Sequence, residues 1–157
     1  MTAHFENPEG YRLVKDAVSS TWWKAQYEFM LSRTHPLTYV DAHGNRWQPN
    51  RHYFTDMGSV PKVGQLLIPK DRFLGFYLHD SAYIEGGLWL KTLVAARFEF
   101  VRLPKSRVDE MLHDMCMADP VPCWESTADV VYRAVRMATP FVDYGKGDKT
   151  NGKQNQS

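Results

Sequence analysis

Leu78-His79-Asp80-Ser81-Ala82-Tyr83 is the stretch on which the fold turns. Around it Phe73, Phe76, Tyr77, Asp80, Tyr83 and Ile84 recur at helical spacing, with Asp71 placed to cap the start and Gly86-Gly87 to stop the run. Upstream the pattern is different. Residues 11–18, 24–31, 37–40 and 51–55 read as short strands, and the cluster Asp41-Ala42-His43-Gly44-Asn45 before Arg46-Trp47-Gln48-Pro49 is a hairpin signal. Downstream, residues 106–117 and 126–139 read as helices, the second with an apolar stripe of Ala128, Val131, Tyr132, Val135 and Ala138. Residues 88–101 are ambiguous between strand and loop. Hairpins first and helices afterwards predict an α+β chain, a small antiparallel N-terminal sheet packed with about three helices.

Bulk composition narrows the class. The 157 residues suit one domain, expected over residues 1–144, and the polar run 145–157 reads as a disordered tail. With 43% hydrophobic and 24% charged residues the chain is globular in type, and a formal net charge of +1 gives no strong nucleic-acid signal. Five Trp, eight Tyr and eight Phe supply much of the buriable area. Trp47 and Trp89 are expected in the core, whereas Trp22-Trp23 cannot both face inward on a strand. Cys116 and Cys123 match no zinc or redox spacing, and two reduced thiols are expected. No signal peptide and no transmembrane segment are apparent.

The chemistry concentrates in the H-D-x-x-Y pattern. On a helix His79 and Tyr83 share a face one turn apart, while Asp80 points about 100° round the axis, at roughly 3.6 residues per turn. Asp109, in the next helical segment, is placed to reach back and orient His79, the arrangement a catalytic imidazole needs. Two other readings compete. Ser106 with Asp109 three residues on resembles a capping box, which would hold Asp109 at a helix start. His79 packed by a tyrosine and a carboxylate would also serve as a buried polar network that fixes helix packing. Leu112-His113-Asp114 repeats the tripeptide, so at least one copy is expected to be surface decoration.

The Thr55-Asp56 to Ser59-Val60-Pro61 loop, Leu78-His79-Asp80-x-x-Tyr83, Arg107-Val108-Asp109 and Tyr132-Arg133-Ala134-Val135-Arg136 occur in this order. Together they resemble the tailed-phage and prophage domain of unknown function one-three-five-three, over roughly residues 27–144. That resemblance implies a phage origin, synthesis in the host cytoplasm, association with the virion and other phage proteins as partners. A more distant likeness is to the core of phospholipases A2. It implies that His79 activates a water, that Asp80 binds calcium, and that Tyr83 and Asp109 hold the imidazole. Here the flanking cysteine and the Gly-rich calcium loop of that family are missing, and the loop with Asp56, Gly58 and Ser59 is the only substitute.

Two functions are expected from these readings. The first is a His/Asp-dependent hydrolase of an ester or amide, lipid or cell-wall in kind. His79, Asp109 and Tyr83 would be its catalytic set, Asp80 and Asp56 would hold a divalent cation (calcium or another), and Ser59, Arg133 and Arg136 would contact substrate. The second is a non-catalytic virion, assembly or host-interaction component, in which the same residues only pack and exposed tryptophans serve as contact anchors.

Overall fold

The computed structural model describes residues 2–18, 25–50, 52–55, 74–120, 122–138, 140 and 144–145. The α+β reading holds. The strands are β1 (His4–Glu6), β2 (Tyr11–Val18), β3 (Ala25–Leu31), β4 (Thr38–Val40), β5 (Arg46–Gln48), β6 (His52–Thr55), β7 (Gly87–Lys91) and β8 (Glu99–Arg102). The helices are α1 (Leu74–Glu85), α2 (Lys105–Cys116) and α3 (Glu125–Ala138). Two antiparallel sheets form, one of five strands in the order β1-β4-β5-β7-β8 and one of three in the order β2-β3-β6.

The hairpin signal at residues 41–49 is realised by one carboxylate. Asp41 Oδ1 accepts the backbone N–H of His43 (2.9 Å) and of Asn45 (3.0 Å), and its Oδ2 accepts Trp47 Nε1–H (3.0 Å). This is Asx-turn chemistry, with Gly44 taking the positive φ of 81°. Trp47 is buried, as expected.

The ambiguous segment 88–101 becomes the β7–β8 hairpin, which follows α1 and returns to the N-terminal sheet through the pairs Trp47↔Leu90 and Gln48↔Trp89. Strands and helices are therefore not fully segregated. Trp89 departs from expectation: it is 39% exposed, because alternation along β7 turns Leu88 inward and the indole outward, where Nε1 donates to Asn50 Oδ1 at 2.9 Å. Gly86, at φ 80°, terminates α1 with its N–H on the Ala82 carbonyl. Gly87 then lies so close to β8 that a Cβ would stand 2.0 Å from the Val101 carbonyl oxygen. Gly87→Ala is accordingly expected to cost about 1–3 kcal/mol, because backbone must yield. A urea midpoint unchanged from wild type would contradict this close approach.

Helix α1 is the centre of the molecule. The helical spacing of Phe76, Tyr77, Asp80, Tyr83 and Ile84 marks only part of what it buries: Leu74, Phe76, Tyr77, Leu78, His79, Ser81, Ala82 and Tyr83 are all buried. A helix buried on nearly all sides lacks an amphipathic stripe. It packs against α2 on one side and β6 and β7 on another. Gly75 permits the α1–α2 approach, since a Cβ there would meet Met115 Cβ at 2.9 Å. Ser81 Oγ, fully buried, accepts the Asn50 backbone N–H at 2.7 Å and ties α1 to the end of β5. The core joins Phe5 and Tyr39 from the strands, and Leu37 just before β4, to Leu78, Val108 and Leu112 from the helices.

The capping expectation for Ser106 is corrected. Helix α2 begins at Lys105, its N-cap is Pro104 in extended conformation, and no side chain caps it. Asp109 thus stands inside the helix, where it faces the core instead of the terminal N–H groups. Cys116 and Cys123 are free thiols, and burial, with Cys123 alongside, pushes the Cys116 thiol up to about 12. No helix among the described residues is long and apolar enough to cross a membrane. The expected cap Asp71, the pair Trp22-Trp23 and residues 146–157 of the tail lie outside the described residues.

Candidate functional site

Three helices converge on one carboxylate. Asp109 of α2 has no exposed surface. Its Oδ1 lies 2.8 Å from His79 Nε2 and accepts the Tyr83 hydroxyl at 2.5 Å, while its Oδ2 accepts Arg136 Nη1–H of α3 at 2.9 Å. The one-turn spacing predicted for His79 and Tyr83 is what allows both to reach the same oxygen; their rings lie 4.3 Å apart. Tyr83 is held in turn. Tyr144 meets its ring edge-on at 5.1 Å and donates its own hydroxyl to the Leu103 carbonyl, and Lys105 Nζ stands 5.7 Å from the Tyr83 ring centroid.

The electrostatics follow from this geometry. Burial by itself would raise the Asp109 pKa, but hydrogen bonds from His79, Tyr83 and Arg136 outweigh it and hold the carboxyl down at about 2. Burial likewise disfavours the charged imidazole of His79, yet hydrogen bonding to Asp109 and the neighbouring Asp80 carboxylate prevail and raise its pKa above the ordinary value. An ionised carboxylate only accepts, so Nε2 carries the proton that Asp109 receives. In the neutral ring the lone pair is then on Nδ1. Among the described residues Nδ1 has no hydrogen-bond partner, and Asp80 Oδ1 stands beside it at 3.8 Å, beyond hydrogen-bond range. His79 is buried, its side chain 7% exposed, and Nδ1 itself is a buried atom.

These shifts act on stability in opposite directions of pH. The raised His79 pKa gives stabilisation that is complete below the ordinary imidazole value and is lost as pH rises through the folded-state pKa. The lowered Asp109 pKa gives stabilisation that is complete above the ordinary carboxyl value and is lost as pH falls toward about 2. The difference in unfolding free energy between wild type and His79→Gln should therefore be greatest near pH 5–6, between roughly 4 and 6.5, and shrink at alkaline pH. Urea titrations at pH 5.5 and 9 check this. An equal difference at the two pH values would refute it. His113 shifts in the same direction, so the comparison is made within His79 variants.

The second Leu-His-Asp copy is only partly decorative. His113 is not at the site; its Nε2 lies 2.7 Å from Asp129 Oδ1 and its Nδ1 3.3 Å from Asp114 Oδ1, so it ties the outer sides of α2 and α3.

Of the other expected residues, Arg136 is brought to Asp109, while Arg133, one turn earlier on α3, is exposed. Asp56 and Ser59 lie outside the described residues. Asp80 brings one carboxylate, and among the described residues no three His, Cys, Asp or Glu side chains converge on a common point. Calcium takes roughly six to eight oxygens, so the described residues do not by themselves make a cation site. Arg136 as a direct partner of Asp109 was not read from the sequence, nor was Tyr144 as a brace. The signal for Arg136 was present: it follows Ala128 and Tyr132 at four-residue steps, at the margin of the apolar stripe. Compared with protein families, curated proteins and solved structures, the chain has no match.

Proposed function

We propose that the chain is a hydrolase in which His79 is the general base and Asp109 its orienting acid, with Tyr83 and Arg136 holding Asp109. The observation that carries this is the pairing of a fully buried, triply hydrogen-bonded carboxylate with Nε2 while Nδ1 has no partner among the described residues. Water attacks the carbonyl carbon of an ester or amide, and its proton passes to Nδ1. Asp109 and the nearby Asp80 stabilise the imidazolium so formed. The proton then leaves Nδ1 for the departing alkoxide or amine as the C–O or C–N bond breaks. No step is routed through a cation. The likeness of His79-Asp80-x-x-Tyr83 to the phospholipase A2 core agrees with this division of labour, and the phage-domain resemblance favours a phage setting with lipid or cell-wall material as substrate.

One observation favours a second reading. A histidine with a 7% exposed side chain and a buried Nδ1, on a carboxylate with no exposure, is also what a packing network in a non-catalytic virion or assembly component requires. The two readings separate on a panel of ester and amide substrates, phospholipid and peptidoglycan fragments included, run with and without divalent cations. Hydrolysis by wild type, lost in a folded His79→Gln, supports the hydrolase. No hydrolysis across the panel, with His79→Gln merely less stable, leaves the packing component.

A further inference from the structure

We propose that Cys116 and Cys123 are a dithiol–disulfide couple, a modification site at the junction of α2 and α3 that a small disulfide of the oxidised-glutathione class converts to an internal disulfide. The inference stands apart from the hydrolase reading, because it concerns two side chains that the proposed hydrolysis does not use.

Their spacing in sequence matches no redox motif, and the fold brings the pair together. Cys116 is the last residue of α2. Its carbonyl, which no further turn of helix can satisfy, accepts the Cys123 backbone N–H at 2.8 Å. With standard backbone lengths, a bond of that kind keeps the two Cα atoms within about 7 Å of each other, the limit for a disulfide that forms without backbone movement. The side chains meet as well: the Cys123 side chain is in hydrogen-bonding contact with the Cys116 thiol. Both residues are half-buried, so a small reagent reaches them. The segment between them is pinned. Ala118 is buried, and the Asp119 carbonyl accepts the Phe5 N–H of β1 at 2.7 Å. Just beyond Cys123, the Trp124 carbonyl accepts the N–H groups of Thr127 and Ala128 at 2.9 and 3.0 Å, in the first turn of α3. The folded backbone therefore holds the two sulfurs side by side before any bond forms.

The chemistry assigns the two thiols different parts. Burial and the neighbouring Cys123 push the Cys116 thiol up to about 12, and its place at the negative end of α2 acts in the same direction. Cys116 therefore keeps its proton near neutral pH, and Cys123 reacts first. The Cys123 thiolate attacks one sulfur of the oxidant RSSR, forms a mixed disulfide and expels RS⁻. Cys116 then gives up its proton and attacks the Cys123 sulfur, forming the internal bond and expelling the second RS⁻. Each RS⁻ takes up the proton that a cysteine lost. Two protein thiols and one RSSR thus give one protein disulfide and two RSH, with two electrons passing from the cysteines to the oxidant. The product carries no charge on either sulfur, so the burial that opposes a Cys116 thiolate does not oppose the disulfide.

Both cysteines fall on one tryptic peptide, residues 108–133. The test is mass spectrometry of that peptide after the folded full chain has met oxidised glutathione and its remaining thiols have been blocked with N-ethylmaleimide. Wild type should give the peptide lighter by two hydrogen atoms and free of maleimide, and excess reduced glutathione should restore both thiols. Cys116→Ser should leave Cys123 carrying glutathione, whereas Cys123→Ser should leave Cys116 without it. Oxidation should raise the wild-type melting temperature by roughly 5–10 °C, through closure of a short loop, and should not raise that of either serine variant. Wild type whose two thiols both still take maleimide overturns the proposal. So does a bond between two chains in place of the internal one, or an internal bond that forms only in urea. An internal bond that lowers the melting temperature also overturns it, since the folded backbone would then have to yield to make it.

Discussion

Asp109→Ala is expected to destabilise the protein by about 3–5 kcal/mol, a large part of the roughly 5–15 kcal/mol that holds a domain of this size. The side chain removed is fully buried and satisfies His79 Nε2 and the Tyr83 hydroxyl, both inside the core. Each would be left without its acceptor, at a desolvation cost of about 1–3 kcal/mol per group. Arg136, which keeps 39% of its side chain in solvent, can turn outward, so its loss contributes little. Asp109→Asn separates charge from shape. Its carbonyl oxygen can still accept from Tyr83 and His79, but the negative charge is gone, so the His79 pKa should fall as burial takes over from the lost pairing. Urea unfolding measures the first effect and imidazole NMR titration the second. A loss below about 1 kcal/mol in Asp109→Ala would mean that the network does not hold α1, α2 and α3 together.

The part of this site that was legible in the sequence is the part governed by one helix. His79 and Tyr83 are four residues apart, and once the segment is helical their common face follows. Asp109 was legible only as one of two alternatives, since residue type suits both a capping box and a buried acceptor. The choice depends on where α2 starts: with Pro104 as N-cap, Asp109 falls in the second turn, beyond reach of the terminal N–H groups and on the face buried with Val108 and Leu112. Arg136 was assigned to substrate because an arginine beside another arginine suggests an anion. Its actual partner is on a different helix, at a distance in sequence that periodicity does not encode. The same limit applies to β7. Leu88-Trp89-Leu90 is too short to identify as strand by alternation, and only pairing with β5, forty residues earlier, decides which residue faces out. The burial of α1 on nearly all sides had no periodic signature to find, because a helix enclosed by a sheet and another helix has no polar face.

His79→Gln is expected to lower hydrolysis by about 10²–10⁴-fold, the range for loss of a positioned general base. Glutamine can still donate an N–H to Asp109, so orientation of α1 against α2 is largely kept while no basic nitrogen remains. The drop should fall in kcat, because the lost proton transfer belongs to the transition state and not to substrate binding. The wild-type pH profile provides an independent check. A base works only when deprotonated, and the pairing with Asp109 and Asp80 raises the His79 pKa. The rate should therefore climb with pH through a midpoint above the ordinary imidazole value of about 6.5. Asp109→Asn, which removes the cause of that shift, should move the midpoint to lower pH and leave a slower enzyme, since a weaker base accepts the proton less readily. Tyr83→Phe takes one hydrogen bond from Asp109 and leaves the carboxylate on His79, so its effect on the midpoint should be smaller than that of Asp109→Asn. A rate that falls as pH rises through this range would require a protonated His79, and with it a general acid in place of the base argued from the position of Nδ1.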